Sequence, residues 1–162
     1  MDHELCRFVA DLIGFRHRHP VFQRRRWFQG VPVRGTEGRD IAWVRPDGRE
    51  MSDQDWSQGS ARSLAIFLNG QGIPNLDERG ERIVDDSFYI LINAHWDPLS
   101  FLLPPDRQRW AGRWAKVIDT TVPHVRDQTD EGGTEQREVY GLGDQVRVEG
   151  RSVVVLKKIA QL

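Results

Sequence analysis

Of 162 residues only one is cysteine and two are methionine. Cys6 has no partner for an intramolecular disulfide, so a disulfide framework is excluded as the source of stability. No apolar run approaches the roughly 20 residues that a bilayer-spanning helix needs, and no charged-then-apolar leader opens the chain. The expected setting is reducing and cytoplasmic, away from membranes. An excess of charge is missing too: 23 Lys and Arg against 24 Asp and Glu leave a net charge of −1. No global field therefore draws the chain to nucleic acid or an anionic membrane, and any partner is found by shape.

Catalytic signatures are equally scarce. The sequence contains no Gly-rich phosphate loop, no His-Glu-x-x-His zinc helix, no Gly-x-Ser-x-Gly elbow and no paired Cys-x-x-Cys. Neither a cofactor nor a metal site is expected. Cys6 could be paired with His17 or His19 as a nucleophile, but it sits at the edge of an apolar helical stripe, where a small buried residue is the commoner role. His17 and His19 bracket Arg18 and point apart on a helix, so they read as surface histidines at a helix end. His95, in Asn93-Ala94-His95-Trp96, reads as a polar strand end. Asp77-Glu78, Asp85-Asp86 and the acids from Asp127 to Glu131 lie in turn-like segments, where solvated acids and caps are the normal explanation. A glycosidase needs two carboxylates facing one bond, and abundance alone does not supply that geometry. No catalytic residue is assigned.

What the sequence does contain is pattern. Leu5, Phe8, Val9, Leu12 and Ile13 fall at the i, i+3, i+4, i+7, i+8 spacing of one helical face. Arg16 interrupts that face, and Pro20 stops the helix by pushing the preceding residue out of the helical region. Beyond it, short runs rich in Val, Ile, Phe and Trp predict strands at 27–33, 41–45, 64–68, 88–93, 99–103, 116–119, 145–148 and 152–156. Pro46-Asp47-Gly48 and Asn69-Gly70 end strands, the second by tolerating positive φ. Ser52 with Asp55 forms a capping box that starts a short helical turn through Trp56. The polar segment 124–136 reads as a mobile loop. The fold class is mainly β: an antiparallel sandwich of about eight short strands preceded by one amphipathic α-helix. A lone amphipathic helix before a sandwich has a face to bury, which hints at further structure beside it.

Six tryptophans stand out, because indole faces stack on sugar rings as well as filling cores. Trp43 alternates with its strand neighbours and is expected in the core. Trp56, Trp96 and Trp110 lie in looser segments and are the candidate sugar-stacking residues. Arg24-Arg25-Arg26 with Trp27 and Phe28 has the ingredients of a single-stranded nucleic-acid platform, but the near-zero net charge favours a charged junction between helix and first strand.

Read in order, these segments resemble the end of isoamylase-type glycogen debranching enzymes, of the α-amylase superfamily of glycoside hydrolases. The resemblance starts at Arg18-His19-Pro20-Val21-Phe22 and runs through Arg25-Arg26-Trp27-Phe28-Gln29-Gly30. Asp40-Ile41-Ala42-Trp43, Pro46-Asp47-Gly48, Met51-Ser52 and Asp55-Trp56 follow. It continues with Arg62-Ser63-Leu64, Leu68-Asn69-Gly70, Asp85-Asp86-Ser87-Phe88 and Asn93-Ala94-His95, and closes with Arg151-Ser152-Val153-Val154-Val155-Leu156.

The resemblance implies that residues 1–22 are a remnant of the last helix of a (β/α)8 catalytic barrel and that 23–162 are the C-terminal β-sandwich domain. It implies that the aspartate nucleophile, the glutamate acid/base and the third, stabilising aspartate lie upstream in barrel loops, so the chain is expected to be inactive alone. The parent activity would be retaining hydrolysis of α-1,6-glucosidic branch linkages in glycogen or limit dextrin. The expected partner is that barrel, docked on Leu5, Phe8, Val9, Leu12 and Ile13. The chain by itself should expose that face, Phe8 and Leu12 especially, and self-associate through it. Two other functions make different demands on the surface: an accessory glucan-binding module that stacks tryptophans on glycogen or another α-glucan, and a nucleic-acid binder acting through Arg24 to Trp27.

Overall fold

The computed structural model describes residues 3–33, 38–104, 112–127 and 138–159. Helix α1 covers His3–Arg18, and a 3-10 turn, Pro20–Gln23, follows it. The strands are β1 Ile41–Val44, β2 Ser63–Leu68, β3 Phe88–Asn93, β4 Leu99–Leu102, β5 Arg113–Asp119, β6 Val122–Val125, β7 Val139–Tyr140, β8 Gln145–Val148 and β9 Ser152–Ile159. Between β1 and β2 lies the single turn of α2, Asp53–Trp56, started by the predicted Ser52–Asp55 capping box. No helix among the described residues is long and apolar enough to cross a membrane.

All described strand pairings are antiparallel. One sheet has the order β1-β2-β3-β9-β5-β6, with β7 also pairing β5, and a second sheet pairs β4 with β8. Because successive side chains of a strand point to opposite faces, β3 sends Tyr89, Leu91 and Asn93 one way and Phe88, Ile90 and Ile92 the other. The first face meets the small sheet: Val44, Ala65, Phe67, Leu91, Trp114 and Leu156 close against Phe101, Val146 and Val148. That is the sandwich core. On the outer face, Phe88, Leu68, Val117, Ile118 and Val155 receive Phe8 and Phe15 of α1 and Val21 of the 3-10 turn. The large sheet is thus apolar on both sides, and among the described residues α1 covers only part of its outer side.

Several expectations need correction. Segment 27–33 is not a strand; its one ladder contact is an isolated bridge from Pro32 to Arg39. The amides of Gln29 and Val31 instead donate to the Asp40 carboxylate, so they are lost to any sheet. Segment 124–136 is not wholly loop, since His124 lies in β6; residues 128–136 lie outside the described residues. Phe8 is buried and Leu12 packs beside it on this chain's own sheet, so these two are not exposed, whereas Leu5, Val9 and Ile13 are 56%, 44% and 54% exposed. Cys6 is exposed rather than buried. Trp43 is half-buried on the outer face, outside the sandwich core.

Candidate functional site

Two arrangements carry chemistry, and the first is the junction between α1 and the sandwich. Pro20 ends the helix, and the extended backbone at His19 turns its ring inward, where it is 5% exposed. Nδ1 of His19 lies 2.8 Å from Oδ1 of Asp85, and Nε2 lies 3.1 Å from Oδ2 of Asp127. A neutral imidazole has one N–H and one bare nitrogen; two carboxylates, one at each nitrogen, are both served only by the doubly protonated imidazolium. Burial works against that charge, but the hydrogen bonds and negative charges of Asp85 and Asp127 outweigh it and raise the His19 pKa above 6.5.

The remaining carboxylate oxygens are also engaged. Oδ2 of Asp85 accepts the Val21 amide at 2.9 Å. Asp127 accepts from Lys157 Nζ at 2.6 Å and from Arg18 Nε at 3.1 Å. Burial would raise the Asp127 pKa; the Lys157 bond and charge, with His19, hold it below the ordinary value. The rings of Phe15 and Phe88 pack with centroids 4.7 and 4.8 Å from that of the imidazole and cover it on the apolar side. His19, Asp85 and Asp86 lie close enough to share a cation. Both imidazole nitrogens already bond carboxylates, however, and Lys157 Nζ supplies positive charge 3.6 Å from Asp86. The cluster is an ionic clasp, and it corrects the reading of His19 as a surface histidine and of Asp85 and Asp127 as solvated acids.

The second arrangement is a groove of about 610 Å³ on the outer face, over the part that α1 leaves open. Its floor is Ile41 and Trp43 of β1, Ile66 of β2 and Ile90 of β3; Trp56 and Trp27 stand at its sides. Trp56 is 52% exposed and meets Trp43 edge-on, with centroids 5.4 Å apart and planes at 80°. Trp27 is 92% exposed, yet the loop that carries it is firmly held. Asp40, 3% exposed, accepts the amides of Gln29, Val31 and Ile41 and the guanidinium of Arg24 at 3.0 to 3.2 Å. Arg24 also stacks over Phe28 at 3.9 Å. The basic run is therefore divided: Arg24 faces inward to Asp40, while Arg25 and Arg26 face solvent. That leaves the nucleic-acid reading without a continuous cationic surface.

Of the candidate stacking residues, Trp56 lines the groove and Trp96 does not; Trp110 lies outside the described residues. Trp96 is 60% exposed on a turn braced by Asn93, whose Nδ2 donates to the carbonyls of Asp97 and Glu149. Sequence reasoning missed the anchoring roles of His19 and Asp85, whose contacts across the junction span 64 to 108 residues, and of Asp40, whose carboxylate partners lie within 16 residues. The one local signal was the strand-breaking acid just before β1.

Residues 40–157, from Asp40 into the closing strand β9, match the family model of the isoamylase C-terminal domain. The chain belongs to that family. It is 47% identical over 131 residues to the "Glycogen operon protein GlgX homolog" of Mycobacterium tuberculosis, which covers 76% of this chain and 18% of that protein. The Mycobacterium bovis protein of the same name matches equally. An isoamylase of Pseudomonas amyloderamosa is 26% identical over 113 residues, covering 70% of this chain and 12% of the relative. A Yersinia pseudotuberculosis glycogen debranching enzyme is 31% identical over 68 residues, or 42% and 9%. The chain thus spans less than a fifth of the length of these curated relatives. The motif-based resemblance to the C-terminal region of isoamylase-type debranching enzymes is borne out. The matched span begins at Asp40, downstream of α1, so the clasp joins the isoamylase C-terminal domain to an element that precedes it.

Proposed function

We propose that this chain acts as the non-catalytic bracing domain of a glycogen debranching enzyme and that α1 is the element shared between it and a catalytic (β/α)8 barrel. The observation that carries the reading is the division of the helix. At 100° per residue, Phe8, Leu12 and Phe15 form one flank of the apolar stripe and Leu5, Val9 and Ile13 the adjacent flank. The sandwich buries the first flank, and the second stays open. An apolar stripe wider than its own domain can cover suits a helix that packs on two bodies. The clasp at His19 then makes the joint rigid.

Hydrolysis of an α-1,6 branch needs a nucleophilic carboxylate and a carboxylic acid of raised pKa on opposite sides of the bond. The acids converging here, Asp85 and Asp127, have His19 between them, and the Asp127 pKa is lowered instead. The barrel would supply the reacting groups.

Two measurements test this. The purified chain should release no reducing ends from amylopectin; measurable release would overturn the non-catalytic reading. The part of the mycobacterial relative outside the matched segment, produced separately, should co-sediment with the chain, and Leu5→Glu with Ile13→Glu should abolish the complex. A complex that survives both substitutions would place the contact elsewhere.

A further inference from the structure

We propose that the groove between Trp27 and Trp56 is a secondary binding site for a single α-glucan chain. Four observations converge on it. First, the indole of Trp27 is 92% exposed, and it is presented on a loop fixed by a buried aspartate that accepts four hydrogen bonds. A rigid exposed aromatic loses little freedom on meeting a ligand. Second, Trp56 stands on the same groove, held edge-on against Trp43, so two separate indoles border one cavity. Third, the cavity, about 610 Å³, is of a size that ligand sites usually have.

Fourth, the polar groups around it are those that sugar hydroxyls use. Gln29 offers an amide, and Arg39 and Glu50 face each other at 3.7 Å, offering donors and an acceptor whose charges cancel. Such a rim disfavours an anionic or cationic ligand and suits an uncharged polyhydroxyl chain, whose C–H faces cover the indoles while its hydroxyls bond the rim. Among the described residues, the tryptophans of the groove are Trp27, Trp43 and Trp56; Trp96 takes no part in it. The choice of an α-glucan among neutral sugars rests on the debranching role proposed above, whereas the neutral-sugar chemistry rests on the groove alone. The site would hold a polymer branch near the barrel without cutting it.

Affinity electrophoresis of the full chain in native gels tests the inference, with gels containing glycogen, a β-glucan or no polysaccharide. Glycogen should retard the chain. Trp27→Ala and Trp56→Ala should each weaken the retardation about fivefold, the loss of one stacking contact. Trp96→Ala should leave it unchanged, and all four proteins should run alike in the plain gel and give the same circular dichroism. Unchanged mobility in glycogen overturns the proposal, as does retardation lost only with Trp96→Ala. Retardation in the β-glucan gel alone would also overturn it, while keeping a sugar site and pointing the failure at the debranching reading. If Trp27→Ala disperses a dimer and glycogen has no effect, the groove is a protein seat and the proposal fails.

Discussion

His19 reaches Asp85, 66 residues later in the chain, at 2.8 Å, and in doing so ties the end of α1 to the segment that enters β3. The contact is an ion pair as long as the imidazole is protonated, and its folded-state pKa lies above the ordinary 6.5. A group whose pKa is raised on folding contributes fully below the unfolded pKa, and that contribution is lost as pH rises through the folded value. The urea midpoint should therefore fall as pH increases above 6.5. His19→Gln should flatten that slope. At the acid end the sign reverses: the lowered Asp127 pKa gives stability that is present above the ordinary carboxylate value and lost as pH falls through the folded one. A wild-type midpoint that climbs between neutral and mildly alkaline pH would contradict the clasp.

Asp85 holds the junction with both oxygens, one at His19 and one at the Val21 amide. Asp85→Ala leaves a buried imidazolium short of a counter-charge and a buried N–H without an acceptor, a change expected to cost about 3–5 kcal/mol. Asp85→Asn retains an acceptor for Val21 and should cost less, about 1–3 kcal/mol. Urea unfolding at neutral pH measures both. Equal losses would mean that shape, and not charge, makes the junction.

The loop carrying Trp27 depends on Asp40 in the same way. Asp40→Ala removes the acceptor for Gln29, Val31 and Ile41 together and frees Arg24. Exchange of the Gln29 and Val31 amides should then quicken at least about tenfold relative to the wild type, because local opening no longer breaks those bonds. If their protection is unchanged, the loop is held by something other than this carboxylate.

How much of this was legible follows from the range of each interaction. The apolar run of β3 and the capping box at Ser52, whose amide donates to Asp55 at 2.8 Å, are local and were readable in advance. Segment 27–33 has strand-like composition, but the deciding acceptor, Asp40, takes its amides out of register with any partner strand. His19 reads as a surface residue because its second carboxylate is 108 residues away. Gly70 was expected to supply positive φ; it is needed instead because a Cβ there would lie 2.1 Å from the Asp85 carbonyl. The helix stripe from Leu5 to Ile13 was legible, but its extension to the buried Phe15 and its division between two flanks depended on where the sheet lies.

Gly150 gives the sharpest steric test. A Cβ built on it would sit 1.9 Å from the carbonyl oxygen of Trp96, backbone against backbone, so no side-chain rotation can relieve the clash. The two loops are also sewn together there: Arg151 N donates to His95 O at 2.7 Å, and Asn93 Nδ2 reaches the Glu149 carbonyl at 3.1 Å. Gly150→Ala must push the loops apart and break these bonds, at an expected cost of about 2–4 kcal/mol, or a melting temperature lower by roughly 6–12 °C. Gly59→Ala is the matched control, since a Cβ there meets nothing within 4 Å. Its melting temperature should stay within about 2 °C of the wild type. Similar melting temperatures for the two variants would show that the Trp96 turn yields easily and is not the rigid platform that its hydrogen bonds describe.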